Sequence, residues 1–277
     1  GAPMSILKSI FFGLVMGLTR ILPVSAGAHQ QVLFRLFGVT QGALLSLLCH
    51  VGILAALYWD NRVLLARLSR ERKLAAIPPR RRKRPLDTQI LLDGRLARTA
   101  AIFSGVGVLA AIFLGTFDSL PILAGMLFLN GVLVLLPQFL PTANKDSRSM
   151  TRLDGILMGL GGALGAVPGF SQTGGVLTAA VARGADRTKA LNWALLSAMG
   201  ALVCLCVGDL YGAATQGVGT VSVTVLLGYL LSGGAAFLGA MAAMRMLRFL
   251  AVKQGFTGFA YYSFGASIFT LILYLIT

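Results

Sequence analysis

Pro23-Val24-Ser25-Ala26-Gly27-Ala28-His29 and Pro168-Gly169-Phe170-Ser171-Gln172-Thr173-Gly174 break the apolar pattern of this 277-residue chain in matching ways. Each divides a hydrophobic stretch into pieces too short to cross a bilayer, which takes about 20 apolar residues. A proline withholds a backbone donor and pushes the residue before it out of helical geometry, while the hydroxyls that follow suit a new helix start. Helices broken at membrane depth are tolerated only where the freed backbone groups line a protein cavity or a water-filled site. The two segments are therefore the predicted seat of function, and residues 5–37 and 155–182 around them read as re-entrant helical hairpins.

Working outward, 56% of residues are hydrophobic and 12% charged, and the mean hydropathy is +0.81. That excludes an ordinary soluble domain. Runs such as 100–117 are apolar all round rather than alternating in polarity, which argues against a transmembrane β-barrel. Spans are expected at 42–59, 99–117, 121–137, 190–208, 220–243 and 256–276, with a tight Asp118-Ser119-Leu120-Pro121 turn between the second and third. Arg20 and Pro23 interrupt the first apolar stretch where a signal-peptide cleavage region would lie, so it is not read as a cleavable signal. Gly1-Ala2-Pro3 before Met4 reads as a tag remnant.

The formal charge of +15 resembles a nucleic-acid signal until its placement is considered. Of 24 basic residues, 12 lie between Arg62 and Arg98, and three more lie in each of the stretches 145–152, 183–189 and 245–253. The positive-inside rule then makes all four stretches cytoplasmic, and no nucleic-acid partner is expected. The run Arg80-Arg81-Arg82-Lys83-Arg84 is a topology determinant or a site for anionic headgroups. The expected protein is an all-α polytopic membrane protein of six transmembrane helices plus two hairpins, in a bacterial cytoplasmic membrane with both termini outside. One membrane domain spans 1–277, with repeat one at 5–137, a cytoplasmic basic loop at 60–98, and repeat two at 155–277. Three spans between the hairpins invert the second copy, an architecture of many secondary transporters. Gly17 and Gly162, each six residues before its proline, suit close helix packing, and the chain's 34 glycines would also permit a homo-oligomer.

Metal and redox chemistry find little here. Cys49, Cys204 and Cys206 lie in apolar segments, and two histidines and a single glutamate, Glu71, form no ligand cluster, so neither metal nor cofactor is expected.

The segment Gly17-Leu18-Thr19, Leu22-Pro23-Val24-Ser25 and His29 resembles the first signature of the undecaprenyl-pyrophosphate phosphatases (the UppP/BacA family), E-G-x-T-E-F-x-P-[VI]-S-S-[TS]-G-H. Pro168 to Gly174 resembles the second, P-G-x-S-R-S-G, and His50-Val51-Gly52 is similar to a frequent H-L-G in the family's next helix. The resemblance spans nearly the whole chain. It implies an enzyme that releases phosphate from undecaprenyl pyrophosphate, recycling the lipid carrier of cell-wall synthesis. The departures fall on the chemistry: the family's glutamates correspond to Met16 and Arg20, its second serine to Ala26, and the second signature's arginine to Gln172. Pyrophosphate hydrolysis needs charge neutralisation, usually from a carboxylate-held metal or an arginine, and a positioned base or nucleophile. No other carboxylate lies near either signature in sequence.

The candidate phosphate- or lipid-binding residues are accordingly Arg20, Ser25, His29, Ser171, Gln172 and Thr173, with Thr19, His50, Gly27 and Gly174 secondary. Arg20 installs a fixed cation with five donors, suited to phosphate oxygens, or else it snorkels or pairs with a backbone carbonyl. His29 is a phosphate donor, a proton relay or a packed ring; if the chain is an enzyme, His29 and Ser25 are the catalytic candidates. The hydroxyls either donate to phosphate or cap helix ends. Asp209 reads as a solvated cap. The leading expectation is a protein that binds and translocates an undecaprenyl phosphate-type or other anionic lipid without hydrolysing it, leaning away from an enzyme. The alternatives are an undecaprenyl-diphosphatase with altered chemistry and a non-catalytic lipid-sensing partner.

Overall fold

The computed structural model describes residues 4–38, 42–115, 119–141, 144–218, 221–253 and 255–276. Ten α-helices carry the described chain: α1 (Ile6–Ile21), α2 (Ala26–Phe37), α3 (Ala43–Ala75), α4 (Thr88–Leu114), α5 (Leu120–Leu135), α6 (Arg152–Ala163), α7 (Gln172–Ala182), α8 (Arg187–Gln216), α9 (Val223–Val252) and α10 (Thr257–Ile276). Six of them, α3, α4, α5, α8, α9 and α10, are long and apolar enough to cross a membrane. The protein is an all-α multi-pass membrane protein. The expected tag remnant at 1–3 and Asp118 of the expected turn lie outside the described residues; Ser119 is the N-cap of α5, with Pro121 in its first turn, where the missing N–H has no helical partner in any case.

The two halves pack on each other in a pattern that survives exchanging them. α1 lies on α9 and α6 on α4; α3 lies on α9 and α8 on α4; α3 meets α8, and α5 meets α10. Backbone approach at the hairpin contacts is close. A Cβ at Gly17 would stand 2.1 Å from the carbonyl oxygen of Ala236 in α9, and one at Gly162 would stand 2.1 Å from Ser104 Oγ in α4. Lipid gives no hydrophobic incentive for helices to associate, so contacts of this kind rest on van der Waals packing that only small residues permit.

The basic segment departs from expectation. The stretch 60–98 is helical except around 76–87, because α3 continues to Ala75 and α4 begins at Thr88. α3 has 33 residues, about 50 Å at 1.5 Å per residue against a hydrocarbon core of about 30 Å, so it projects well past the bilayer. Its polar end is held by Glu71, whose Oε1 accepts from Arg84 Nη2 at 2.5 Å and whose Oε2 accepts from the Asp87 N–H at 3.1 Å. Asp87 in turn caps α4 through the Ile90 N–H at 3.2 Å. Arg248 of α9 pairs with Asp60 of α3 at the same end.

Candidate functional site

Local chemistry makes both breaks. Leu22, before Pro23, is extended (φ −67°, ψ 153°) and ends α1. Ser25 then starts α2, its Oγ accepting from the Ala28 N–H at 3.2 Å. In the second hairpin Val167, before Pro168, is likewise extended, and Gly169 takes φ +106°, a conformation L side chains rarely adopt. Ser171 caps α7 by accepting from the Gly174 N–H at 3.1 Å.

The two tips are tied to each other. The Gly169 N–H donates to Ser25 Oγ at 2.8 Å, and Ser171 Oγ donates to the Leu22 carbonyl at 3.2 Å. Asn130, wholly buried in α5, clamps the crossing: its Oδ1 accepts from the Ser171 N–H at 2.9 Å, and its Nδ2 donates to the Pro23 carbonyl at 3.4 Å and to Ser263 Oγ of α10 at 3.1 Å. Gly27 faces Pro168, a Cβ there lying 3.4 Å from its Cα, and a Cβ at Gly174 would lie 3.4 Å from Pro23 Cβ. Broken backbone groups that would be costly in hydrocarbon thus satisfy one another across the midline.

Arg20 turns the other way, toward α3 and α8. Its Nη2 lies 3.3 Å from His50 Nε2, and His50 Nδ1 lies 2.6 Å from Asp209 Oδ2. The expectation that Asp209 is a solvated cap is corrected. Its side chain is 16% exposed and α8 runs seven residues past it to Gln216, so it serves as counter-charge to a buried cation rather than as a helix end. Arg20 is partly buried, and its Nε is fully buried with no partner among the described residues, which leaves the guanidinium a donor to spare. Thr173 Oγ1 is buried and likewise without a partner among them.

His29 belongs to a third place. Its Nδ1 lies 2.5 Å from the Ser25 carbonyl, its Nε2 lies 2.6 Å from Tyr262 Oη of α10, and the two rings are stacked. The pair stands between two apolar grooves of about 530 and 560 Å³ that run between the first hairpin and α10, the former past Val32, Leu36 and Phe269, the latter past Leu18, Leu250 and Phe259. Thr19 donates to the Val15 carbonyl at 2.8 Å and Gln172 Nε2 to Ser197 Oγ at 3.2 Å. The sequence reading's candidates therefore separate into a structural knot (Ser25, Ser171, Gly27, Gly174), a charged chain (Arg20, His50) and a groove residue (His29), and it missed Asn130, Asp209 and Tyr262. Asn130 carried a signal, since a lone amide inside an apolar span must find partners there.

This arrangement limits the chemistry. Ser25 Oγ accepts two backbone N–H groups and is wholly buried, and among the described residues no base bonds to it, the His29 ring being turned to the Ser25 carbonyl instead. A hard divalent cation wants oxygen ligands, and the hydroxyls of Ser25 and Ser171 at the tips are committed to backbone partners. Those residues do not fit such an ion. What these separate places offer an anion is the Arg20 guanidinium toward α3 and α8 and, at the tips, helix N-termini and the Thr173 hydroxyl.

Comparison with known proteins agrees with the signatures. Residues 9–269 match the family model described as bacitracin resistance protein BacA. The undecaprenyl-diphosphatase of Alkaliphilus metalliredigens is 27% identical over 94% of this chain and 95% of its own length. That of Desulfatibacillum aliphaticivorans is 30% identical over 92% and 94%, and that of Micrococcus luteus is 33% identical over 77% of each. With residues 9–269 matched by the family model, this chain belongs to the BacA family, the family of the undecaprenyl-diphosphatases.

Proposed function

We propose that this chain binds the phosphate head of an undecaprenyl phosphate-type lipid beside the paired hairpin tips and carries it across the bacterial inner membrane without cleaving it. The observation that carries the reading is Arg20. A permanent cation stands where the family signature has a glutamate, it is held inside the helix bundle, and its Nε has no partner among the described residues. Intramembrane cations are retained where they act on a ligand or a counter-charge. The grooves on either side of His29 and Tyr262 give an isoprenoid tail apolar walls, and the exchangeable packing of the two halves suits alternating access, with the basic segment on the cytoplasmic side.

A second reading, hydrolysis of undecaprenyl diphosphate, is the one the names of the relatives favour. His29 would then be the base. Reconstituted liposomes separate the two. An impermeant phosphatase added outside should consume polyprenyl phosphate from the inner leaflet as well as the outer one when the protein is present, and Arg20→Gln should remove that gain. Consumption no greater than in protein-free liposomes would overturn the carrier reading.

A further inference from the structure

The Arg20–His50–Asp209 chain has a charge balance that anion binding upsets. A guanidinium has donors only, so the His50 Nε2 facing it at 3.3 Å presents a lone pair, and the Nδ1 facing the carboxylate at 2.6 Å carries the proton. The ring is therefore neutral, and the chain holds one cation and one anion. His50 is almost wholly enclosed, its side chain 3% exposed, whereas Asp209 reaches the surface at 16%.

Few other groups share this region. Cys49 of α3 and Cys206 of α8 are titratable side chains within reach of the Asp209 charge. α8 also packs on α4, α6, α7 and α9, and α3 on α1, α4 and α9; α6 brings Arg152 and Asp154 in its first turn, the latter paired with Arg183, and α1 brings Lys8, which lies over the Phe37 ring. Asp93, Arg95 and Arg98 lie in the first three turns of α4, and Arg245 and Arg248 in the last two turns of α9, all at the opposite end of the bundle. α9 also carries Tyr229, and α7 has no charged residue before Arg183. Apart from Asp209, no carboxylate among the described residues answers Arg20, and no second cation answers Asp209.

An oxyanion that docks on Arg20 brings at least one further negative charge into an apolar surrounding that tolerates imbalance poorly. Balance returns with one proton. It is taken up at His50 Nε2, the ring nitrogen with the free lone pair, once the guanidinium turns to the anion, while Nδ1–H stays on Asp209; the imidazolium then sits between carboxylate and oxyanion. An N–H bond forms and the O–H bond of a hydronium ion or buffer acid breaks.

We propose that this site takes up one proton with each phosphate-type oxyanion it binds, which makes the movement of the lipid anion proton-coupled. The inference rests on the anion binding at Arg20 proposed above.

The full chain in detergent is titrated with dodecyl phosphate, and separately with inorganic phosphate, in buffers of different ionisation enthalpy. Proton uptake per bound dodecyl phosphate should exceed that of Asp209→Asn, and of His50→Gln, by about one. Wild-type affinity should weaken by up to about tenfold per pH unit on the alkaline side, because the bound state holds the extra proton. Uptake with both probes would assign recognition to the phosphate head alone; uptake with dodecyl phosphate only would give the tail a part. Equal proton counts in wild type and variants, or a wild-type affinity independent of pH once the probe's own ionisation is subtracted, would overturn the coupling while leaving the binding reading intact. Failure of wild-type protein to bind either probe would overturn both. Should a variant fail to fold, the wild-type pH profile decides by itself.

Discussion

Arg20 is a residue whose placement alters the chemistry of its neighbours. Charge-assisted hydrogen bonds contribute about 1.5–3 kcal/mol, so Arg20→Gln should weaken dodecyl phosphate binding by about ten- to a hundredfold, read by calorimetry in detergent. Unchanged affinity would remove Arg20 from the site. Asn130→Leu should lower the thermal midpoint, because it strands the Ser171 N–H and the Pro23 carbonyl at about 1–3 kcal/mol each. The two capping serines were legible in the sequence because prolines and hydroxyls act on their immediate neighbours, whereas Arg20 and His29 stood out through the family resemblance. The bond between His50 and Asp209 was not, since 159 residues separate them and nothing local marks the pairing. Asp209 read as a cap because it is the lone carboxylate of 187–216, near the end of an apolar run.

Among the elements, the hairpins were readable from their breaks, and Gly17 and Gly162 from their spacing to the prolines. The contact at Gly17 gives a sharp expectation. Gly17→Val puts atoms where the Ala236 carbonyl stands and should destabilise the fold, whereas Gly234→Ala on the same partner helix meets nothing within 4 Å and should leave the thermal midpoint in place. Equal effects would mean that α1 and α9 are not in backbone contact. The helical character of the basic segment was harder to see. Its positive charge marked it as a loop, yet Arg, Lys, Leu and Ala are all good helix formers, and propensity carries α3 out of the bilayer as far as Glu71. Glu71→Gln should raise hydrogen exchange around 72–87 and leave the hairpins protected, since it weakens the bonds to Arg84 and Asp87 alone.

For the whole molecule, the exchangeable packing of the halves, the crossed tips and the charge chain belong to a BacA-family scaffold, which we propose binds and carries the lipid phosphate without cleaving it. The positive-inside rule puts the basic segment on the cytoplasmic side, an orientation that Lys83→Cys tests: an impermeant thiol reagent should label it from the cytoplasmic side only, and labelling from the other side would reverse the topology. The most direct test of the account is phosphate release from undecaprenyl diphosphate by the purified full-length protein, with and without magnesium or calcium, beside measured binding of the same lipid. The account predicts binding with release no faster than in protein-free detergent. Sustained phosphate release by the wild-type protein above the protein-free rate would contradict it.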